Sequence, residues 1–305
     1  MAEDDATVGE LGGSACRRAA GAALLQGCLA VAESDQAEAG LGLRATRAFT
    51  GHEVIYRARP LVWVQSPWSA DVAPACLSCG LILGGGLREI VGRTLTQGSL
   101  EGRCDGEAWP LIEKSGMFDD PRFVVPQLLP CPRAGESPSC RAAFCSKACQ
   151  DQQLATGHHR VICADASQGQ RVAWDHFYKH SALHHDTFAL AGLAIAQAIS
   201  DVAHGGAEPE EAIARYARFT AQPWPDLLAE DVADRTKWLQ HRRDTVEASH
   251  RLLLGALGEA AAGAGLDALM SLDGYSRLVG MLDLVTKDLE RPHPLQNRLK
   301  EVLAE

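Results

Sequence analysis

Positive charge is scarce: 29 Lys and Arg stand against 39 Asp and Glu in 305 residues, a formal net charge of -10. A general nucleic-acid binder needs a basic field to meet phosphates, so direct nucleic-acid binding is not expected, whereas a basic protein partner is compatible. Long apolar runs are missing too. The opening "MAEDDATVGELGG" is acidic where a secretory signal is basic, and "AAGAALLQGCLAVAE" is broken by Gln26 and Gly27 and too short to span a bilayer. The expectation is a chain with no membrane partner, in the nucleus or cytoplasm. No internal repeat of fixed period occurs, and asparagine is reduced to a single residue, Asn297.

Cysteine, by contrast, is abundant, with ten residues, and 46% of the chain is hydrophobic, enough for a sizeable core. In a reducing compartment cysteines at close spacing read as metal ligands rather than disulfides. The stretch "CRAAFCSKACQDQQLATGHHRVIC", Cys140 to Cys163, supplies Cys145-x3-Cys149 and His159-x3-Cys163; upstream lie Cys76-x2-Cys79 and Cys131. Zinc takes four tetrahedral nitrogen or sulfur ligands, and close pairs lower the entropic cost of assembling them. Cys76, Cys79, Cys131, Cys140, Cys145, Cys149, His159 and Cys163 make eight ligands, enough for two ions with every position filled. Such zinc is structural, since no position is left for an activated water. Two alternatives stay open: Cys104 in place of Cys131, and His158 in place of His159. Cysteines serving only as small core residues would have no reason to fall at these spacings.

The chain divides into four zones. Residues 1–35 are Ala/Gly-rich, with disorder over the first dozen and at most one short helix. Residues 36–75 contain "AGLGLRATRAFTGHEVIYRARPLVWVQ", whose β-branched and aromatic runs, divided by Gly51 and Pro60, predict two or three strands, one entered at Glu53-Val54-Ile55. Residues 76–163 hold the ligands and a Gly-rich stretch, 80–130, that reads as a surface insertion. From 164 to 305 the periodicity is helical, with Phe188, Leu193, Ile195, Ile199 and Val202 near one face, until Pro292 and Pro294 stop it. The fold class is α+β.

The order of the ligands resembles the MYND zinc finger. That resemblance implies an interleaved pairing, with Cys76, Cys79, Cys145 and Cys149 on one zinc and Cys131, Cys140, His159 and Cys163 on the other. The Gly-x-Gly-Leu turn at Gly40, Gly42 and Leu43, followed by "GHEVI", resembles the opening of a SET methyltransferase domain. A SET opening, a MYND finger and a helical segment in this order resemble the SET-and-MYND protein-lysine methyltransferase family, clearly over Ala39 to Cys163 and more loosely over Trp174 to Leu284. The resemblance implies a partial SET-type β segment with the two-zinc finger inserted, an α-helical C-terminal half, and S-adenosylmethionine passing along Gly40, Gly42 and Leu43. It implies methylation of a protein substrate at lysine, with histone tails as candidates, and a proline-rich peptide as a candidate partner of the finger.

Members of that family carry an Asn-His-Ser-Cys segment and a late tyrosine after the helical insert. Here Asn297 is followed by Arg298, no cysteine follows Cys163, and Tyr56, Tyr178, Tyr216 and Tyr275 do not stand in a late strand. The expectation is a truncated member that has no activity alone, the alternative being a non-enzymatic zinc-finger interaction module.

Other patterns read as structural. His176, His180 and His184 recur every fourth residue, but along a helix they span about 12 Å at about 1.5 Å per residue, too far for one ion. They are expected on a polar face opposite Trp174, Phe177 and Leu183, with the aromatic residues in a core. The mixed charges of "EDVADRTKWLQHRRD" predict a solvated helical face.

Overall fold

The computed structural model describes residues 29–33, 41–51, 53, 55, 60–84, 86–96, 108–120, 124–135, 140–216, 221–227, 234–285 and 302. Gly40, Val54, Cys104, Asn297, residues 1–28 and the prolines at 292 and 294 lie outside them. Among the described residues the protein is mixed α+β and mostly helical, with two small sheets.

The first sheet is an antiparallel hairpin of β1 (Leu29–Glu33) and β2 (Leu41–Ala45), in register from Leu29 opposite Ala45 to Glu33 opposite Leu41. Leu29–Glu33 falls where at most a short helix is expected; pairing with β2 decides its conformation, as tertiary context often overrides propensity. Val54 and residues 56–59 of the strand expected from Glu53 lie outside the described residues. Glu53 itself closes the turn at Thr50 and Gly51: its N–H donates to the Thr50 carbonyl (3.3 Å), its carboxylate accepts from the Thr50 N–H (3.1 Å), and it pairs with Arg47, whose guanidinium also lies 4.4 Å over the Phe49 ring. The Arg47 hydrogen bond, helped by the Thr50 N–H, holds the Glu53 carboxyl down at about 2.

The Gly-rich insertion is more than a surface loop. After α1 (Pro67–Val72), which lies upstream of it, it forms α2 (Leu87–Thr96), α3 (Ala108–Lys114) and a 3-10 turn (Met117–Asp119). Leu87, Val91, Ile112 and Met117 make a separate small core, backed by Trp109 and Phe118 and sealed by Val302 from far along the chain. Arg88 caps it, 4.6 Å from the Phe118 ring centre.

The second sheet pairs β3 (Leu129–Pro130) with β4 (Ala143–Phe144), and α4 (Lys147–Ala155) follows, capped by the Ser146 hydroxyl on the Cys149 N–H. A π-helical turn, Arg160–Ala164, leads to α5 (Gln168–His184), which starts with a capping box between Ser167 and Gln170. Then come α6 (Asp186–Ala203), α7 (Pro209–Ala214), a 3-10 turn (Trp224–Asp226), α8 (Arg235–Gly263), α9 (Asp267–Met270) and α10 (Leu272–Val285).

Helix α6 is the axis of the main core. Its Ala-rich sequence lets neighbours approach from every side, so Phe188, Ala191, Ala194, Ile195, Ala196 and Ala198 are all fully buried. By length and mean hydropathy, 1.2, it would suit a membrane span, yet 72% of it is covered by the protein's own helices. Helix α5 lays Phe177 against Gly192, where an added Cβ would come within 2.5 Å of the Phe177 ring. Leu183, six residues past Phe177, is rotated about 240° from it at 100° per residue, and is 82% exposed rather than buried. Of the charge run, Arg242 is not solvated: its guanidinium stacks 3.6 Å from the Trp224 ring centre and 4.6 Å from that of Trp238, and it donates to the Trp224 carbonyl (2.7 Å). Trp224 in turn packs edge-on against Phe188 and donates to Asp283 (3.2 Å). The phenol of Tyr275 reaches Ser249 at 2.7 Å inside the same core, where burial pushes its ionisation up.

Two outcomes test this packing. Gly192→Ala forces the Phe177 ring to move and is expected to cost about 1–3 kcal/mol in chemical denaturation. Arg47→Ala is expected to return the Glu53 carboxyl from about 2 toward 4.5, read by NMR titration.

Candidate metal centre

Four chain segments converge beside α6. The first is the turn 76–80: the Cys76 N–H donates to the Leu81 carbonyl (2.7 Å), the Gly80 N–H returns to the Cys76 carbonyl (2.8 Å), and Gly80 takes a left-handed φ of 70° to close it. The Leu77 N–H bonds the Ala143 carbonyl (2.9 Å), which fixes this turn on β4. The second and third segments are the two ends of the β3–β4 hairpin, and the fourth is α4 with the π-turn behind it.

The hairpin explains why ligands alternate between two sites. Cys131 follows β3 and Cys140 precedes β4, so both fall at the same end of the hairpin, held by the Cys131 N–H on the Ala142 carbonyl (3.0 Å). Cys145 follows β4 at the other end, and α4 then carries Cys149. Strand β4 therefore hands one cysteine to each site. In the π-turn, Val161 enters the helical core while Cys163 enters the metal-side core around Phe144.

The structure gathers Cys76, Cys79, Cys145 and Cys149 in one group, and Cys131, Cys140, His159 and Cys163 in another, each with its ligand atoms within 4.8 Å of one another. Both could bind zinc. A tetrahedron of thiolates about 2.3 Å from a central ion has edges of about 3.8 Å, and one imidazole nitrogen shortens its edges to about 3.6 Å. The sulfur separations are 3.6 Å for Cys79–Cys145, 3.5 Å for Cys145–Cys149, 3.8 Å for Cys131–Cys163 and 3.7 Å for Cys140–Cys163. His159 Nε2 stands 3.3 Å from Cys131 Sγ and 3.8 Å from Cys140 Sγ. These are edges of a ligand tetrahedron, far from the sulfur–sulfur bond of about 2.0 Å in a disulfide.

Backbone N–H donors reach the sulfurs of both groups, although burial raises the Cys79 thiol to about 12 and raises Cys145 as well. The backbone N–H groups of Ser78, Leu81 and Ala142 donate to the sulfurs of Cys76, Cys79 and Cys140, and the Arg133 N–H donates to Cys131 Sγ (3.4 Å). In each case the donor lies two residues after the cysteine, the repeated local turn that orients a metal ligand. At Cys76, burial opposes ionisation, but N–H donors from Cys79, Cys145 and Ser78 outweigh it and the thiol is lowered. At Cys140 the hydrogen bond from the Cys163 thiol leads, opposed by burial and assisted by His159, and holds it near 4. Burial alone would depress His159, yet its bonds to Cys131 and Cys140 raise it to about 9. The bond between Cys163 and Cys140, with burial, raises the Cys163 thiol, so without metal the second group pairs the His159 imidazolium with a Cys140 thiolate that accepts from the Cys163 thiol.

His159, not His158, stands in the second group. The His158 backbone N–H donates to Gln197 Oε1 (3.0 Å), and its buried ring, depressed to about 4 mainly by burial and by the charge of His159, stands outside the group. Gln197 of α6 also donates to the Thr156 carbonyl (3.0 Å), and His204 meets Asp165 at 2.9 Å, so the metal-side segment is pinned to the helical core. Cys131 stands in the second group; Cys104 lies outside the described residues. Sequence reading did not foresee Gln197 or the π-turn, because no local pattern marks a contact between segments this far apart.

Of the residues expected at S-adenosylmethionine, Gly40 lies outside the described residues, Gly42 sits in β2, and Leu43 is 50% exposed. His176, His180 and His184 do not join a metal group of three or more among the described residues. No family model, curated protein or solved structure matches the chain.

Two measurements follow from this geometry. His159→Ala is expected to leave one zinc per chain by native mass spectrometry, whereas His158→Gln keeps two. Because His159 holds a proton up to about pH 9 without metal, that proton competes with the ion. Zinc affinity at the second site should therefore fall about tenfold per pH unit for each proton displaced as pH drops below 9, read by chelator competition.

Proposed function

We propose that this chain is a two-zinc protein of SET-and-MYND type, in which a structural zinc module braces the N-terminal part of an S-adenosylmethionine-dependent protein-lysine methyltransferase. The observation that carries the reading is the interleaved pair of ligand groups, together with the Gly-x-Gly-Leu turn that precedes them. The residues that would hold zinc are the eight named ligands, which fix the turn 76–80, the β3–β4 hairpin and the π-turn relative to α6. With four protein ligands at each ion, zinc supplies cross-linking and no activated water.

Methyl transfer to lysine requires a donor sulfonium and a neutral amine held in line, in a channel dry enough to lower the pKa of the amine. The 305 residues contain no Asn-His-Ser-Cys segment to complete such a site. The proposed role of Gly42 and Leu43 is therefore limited to backbone contact with the cofactor, and the chain alone is not expected to turn over.

A second reading, a zinc-finger module that binds a protein partner without catalysis, is favoured by the exposed apolar residues Val124 (74%) and Leu128 (42%) leading into β3 beside the metal groups. Calorimetry with S-adenosylmethionine separates the two: measurable binding supports the methyltransferase framework, and its absence in a protein that carries two zincs supports the interaction module. Elemental analysis is expected to give two zincs per chain, and a value near zero or three overturns the ligand assignment. Transfer of labelled methyl groups to histone peptides by this chain alone would overturn the proposed lack of turnover.

A further inference from the structure

The two ligand groups are unequally protected. In the second group Cys131 and Cys163 are 2% exposed and His159 is 3% exposed, shielded by Phe144 and by the π-turn anchored on α6, and Cys140 is half-buried. In the first group only Cys76 is fully buried; Cys145 and Cys149 are half-buried, and Cys79 is exposed at the surface of its turn. An oxidant or competing ligand meets an exposed sulfur in the first group, while in the second it meets only the half-buried Cys140, and the other three ligands come within reach when the π-turn opens from the helical core. Sites reached only through such sub-global opening are protected by the free energy of that opening.

Resting on the zinc reading above, we propose that the Cys76, Cys79, Cys145 and Cys149 group is a redox-modification site that releases its ion through a Cys79–Cys145 disulfide, while the buried group keeps its own. The oxidant class is a peroxide. The exposed Cys79 sulfur, a thiolate when it serves as a zinc ligand, attacks one peroxide oxygen, the O–O bond breaks, and a sulfenic acid and hydroxide result. Cys145 Sγ, 3.6 Å away, then attacks the Cys79 sulfur and displaces a second hydroxide. Two electrons pass from the two thiolates to the peroxide, two protons from solvent convert the hydroxides to water, and one sulfur–sulfur bond forms. The ion loses two of its four ligands and departs.

Cys145 and Cys149 are equally close, 3.5 Å, but Cys149 sits in the first turn of α4 with its N–H on the Ser146 hydroxyl, and a bond across that turn would break the cap. Cys79 lies in a turn rather than a helix, and a bond from it to Cys145 joins two segments already held by the Leu77–Ala143 hydrogen bond.

The test adds hydrogen peroxide in steps to the reduced, zinc-loaded full chain, with a chromogenic chelator reporting free zinc and peptide mapping locating disulfides. The expected result is one equivalent released at least about tenfold faster than the second, a Cys79–Cys145 disulfide, and recovery of two zincs on adding a thiol reductant and zinc. Release of both ions in one phase, retention of both, or a disulfide at Cys131, Cys140, Cys163 or Cys149 overturns the proposal. Absence of zinc from the reduced protein before any oxidant is added overturns the zinc reading itself, so the two failures are distinct.

Discussion

Eight soft ligands drawn from residues 76 to 163 can satisfy two tetrahedra only if a single short strand faces both. Strand β4 meets that constraint, with Cys140 on one side of it and Cys145 on the other, and the remaining geometry follows. The first turn must lie along β4, which the Leu77–Ala143 bond achieves, and the π-turn must bring His159 and Cys163 back to the hairpin. A segment with so little regular structure has a small apolar core of its own, so cross-linking by ions is the natural way for it to offset its conformational entropy.

The helical region answers a different problem. Helix α6 is apolar around nearly its whole circumference and must be enclosed, and α5, α8 and α10 enclose it. Three of the polar groups drawn inside are paired: Tyr216 donates to the Ala194 carbonyl, Tyr275 meets Ser249, and Arg242 is spent between two tryptophan rings and the Trp224 carbonyl. Gln197 joins the two regions by leaving the apolar surface of α6 to satisfy backbone groups at Thr156 and His158. The segment that carries the two ligand groups is therefore hydrogen-bonded to a rigid support.

Much of the site was legible in the spacing of its ligands. Close cysteine pairs are local features, and a turn that presents two thiolates needs only a few residues, so Cys76-x2-Cys79 and Cys145-x3-Cys149 announce themselves. The helices were likewise visible as 3.6-residue periodicity, although Leu183 shows that an apolar residue inside a helical stretch need not face the core. The strand at Leu29–Glu33 went against local expectation, because a hairpin partner outweighed weak propensities. The helical core within the insertion, with its lid at Val302, depends on a contact across nearly two hundred residues that no local window contains.

What the sequence determined by itself is chemistry and periodicity: a surplus of acid over base, a reduced thiol set suited to zinc, and a helical C-terminal region. Tertiary structure alone decided which nitrogen of the His158–His159 pair turns toward sulfur, how unequally the two groups are buried, and where the metal-side segment is fastened. The reason is physical. Ligand type and spacing are written residue by residue, whereas burial and orientation are properties of the neighbours that folding brings to each residue.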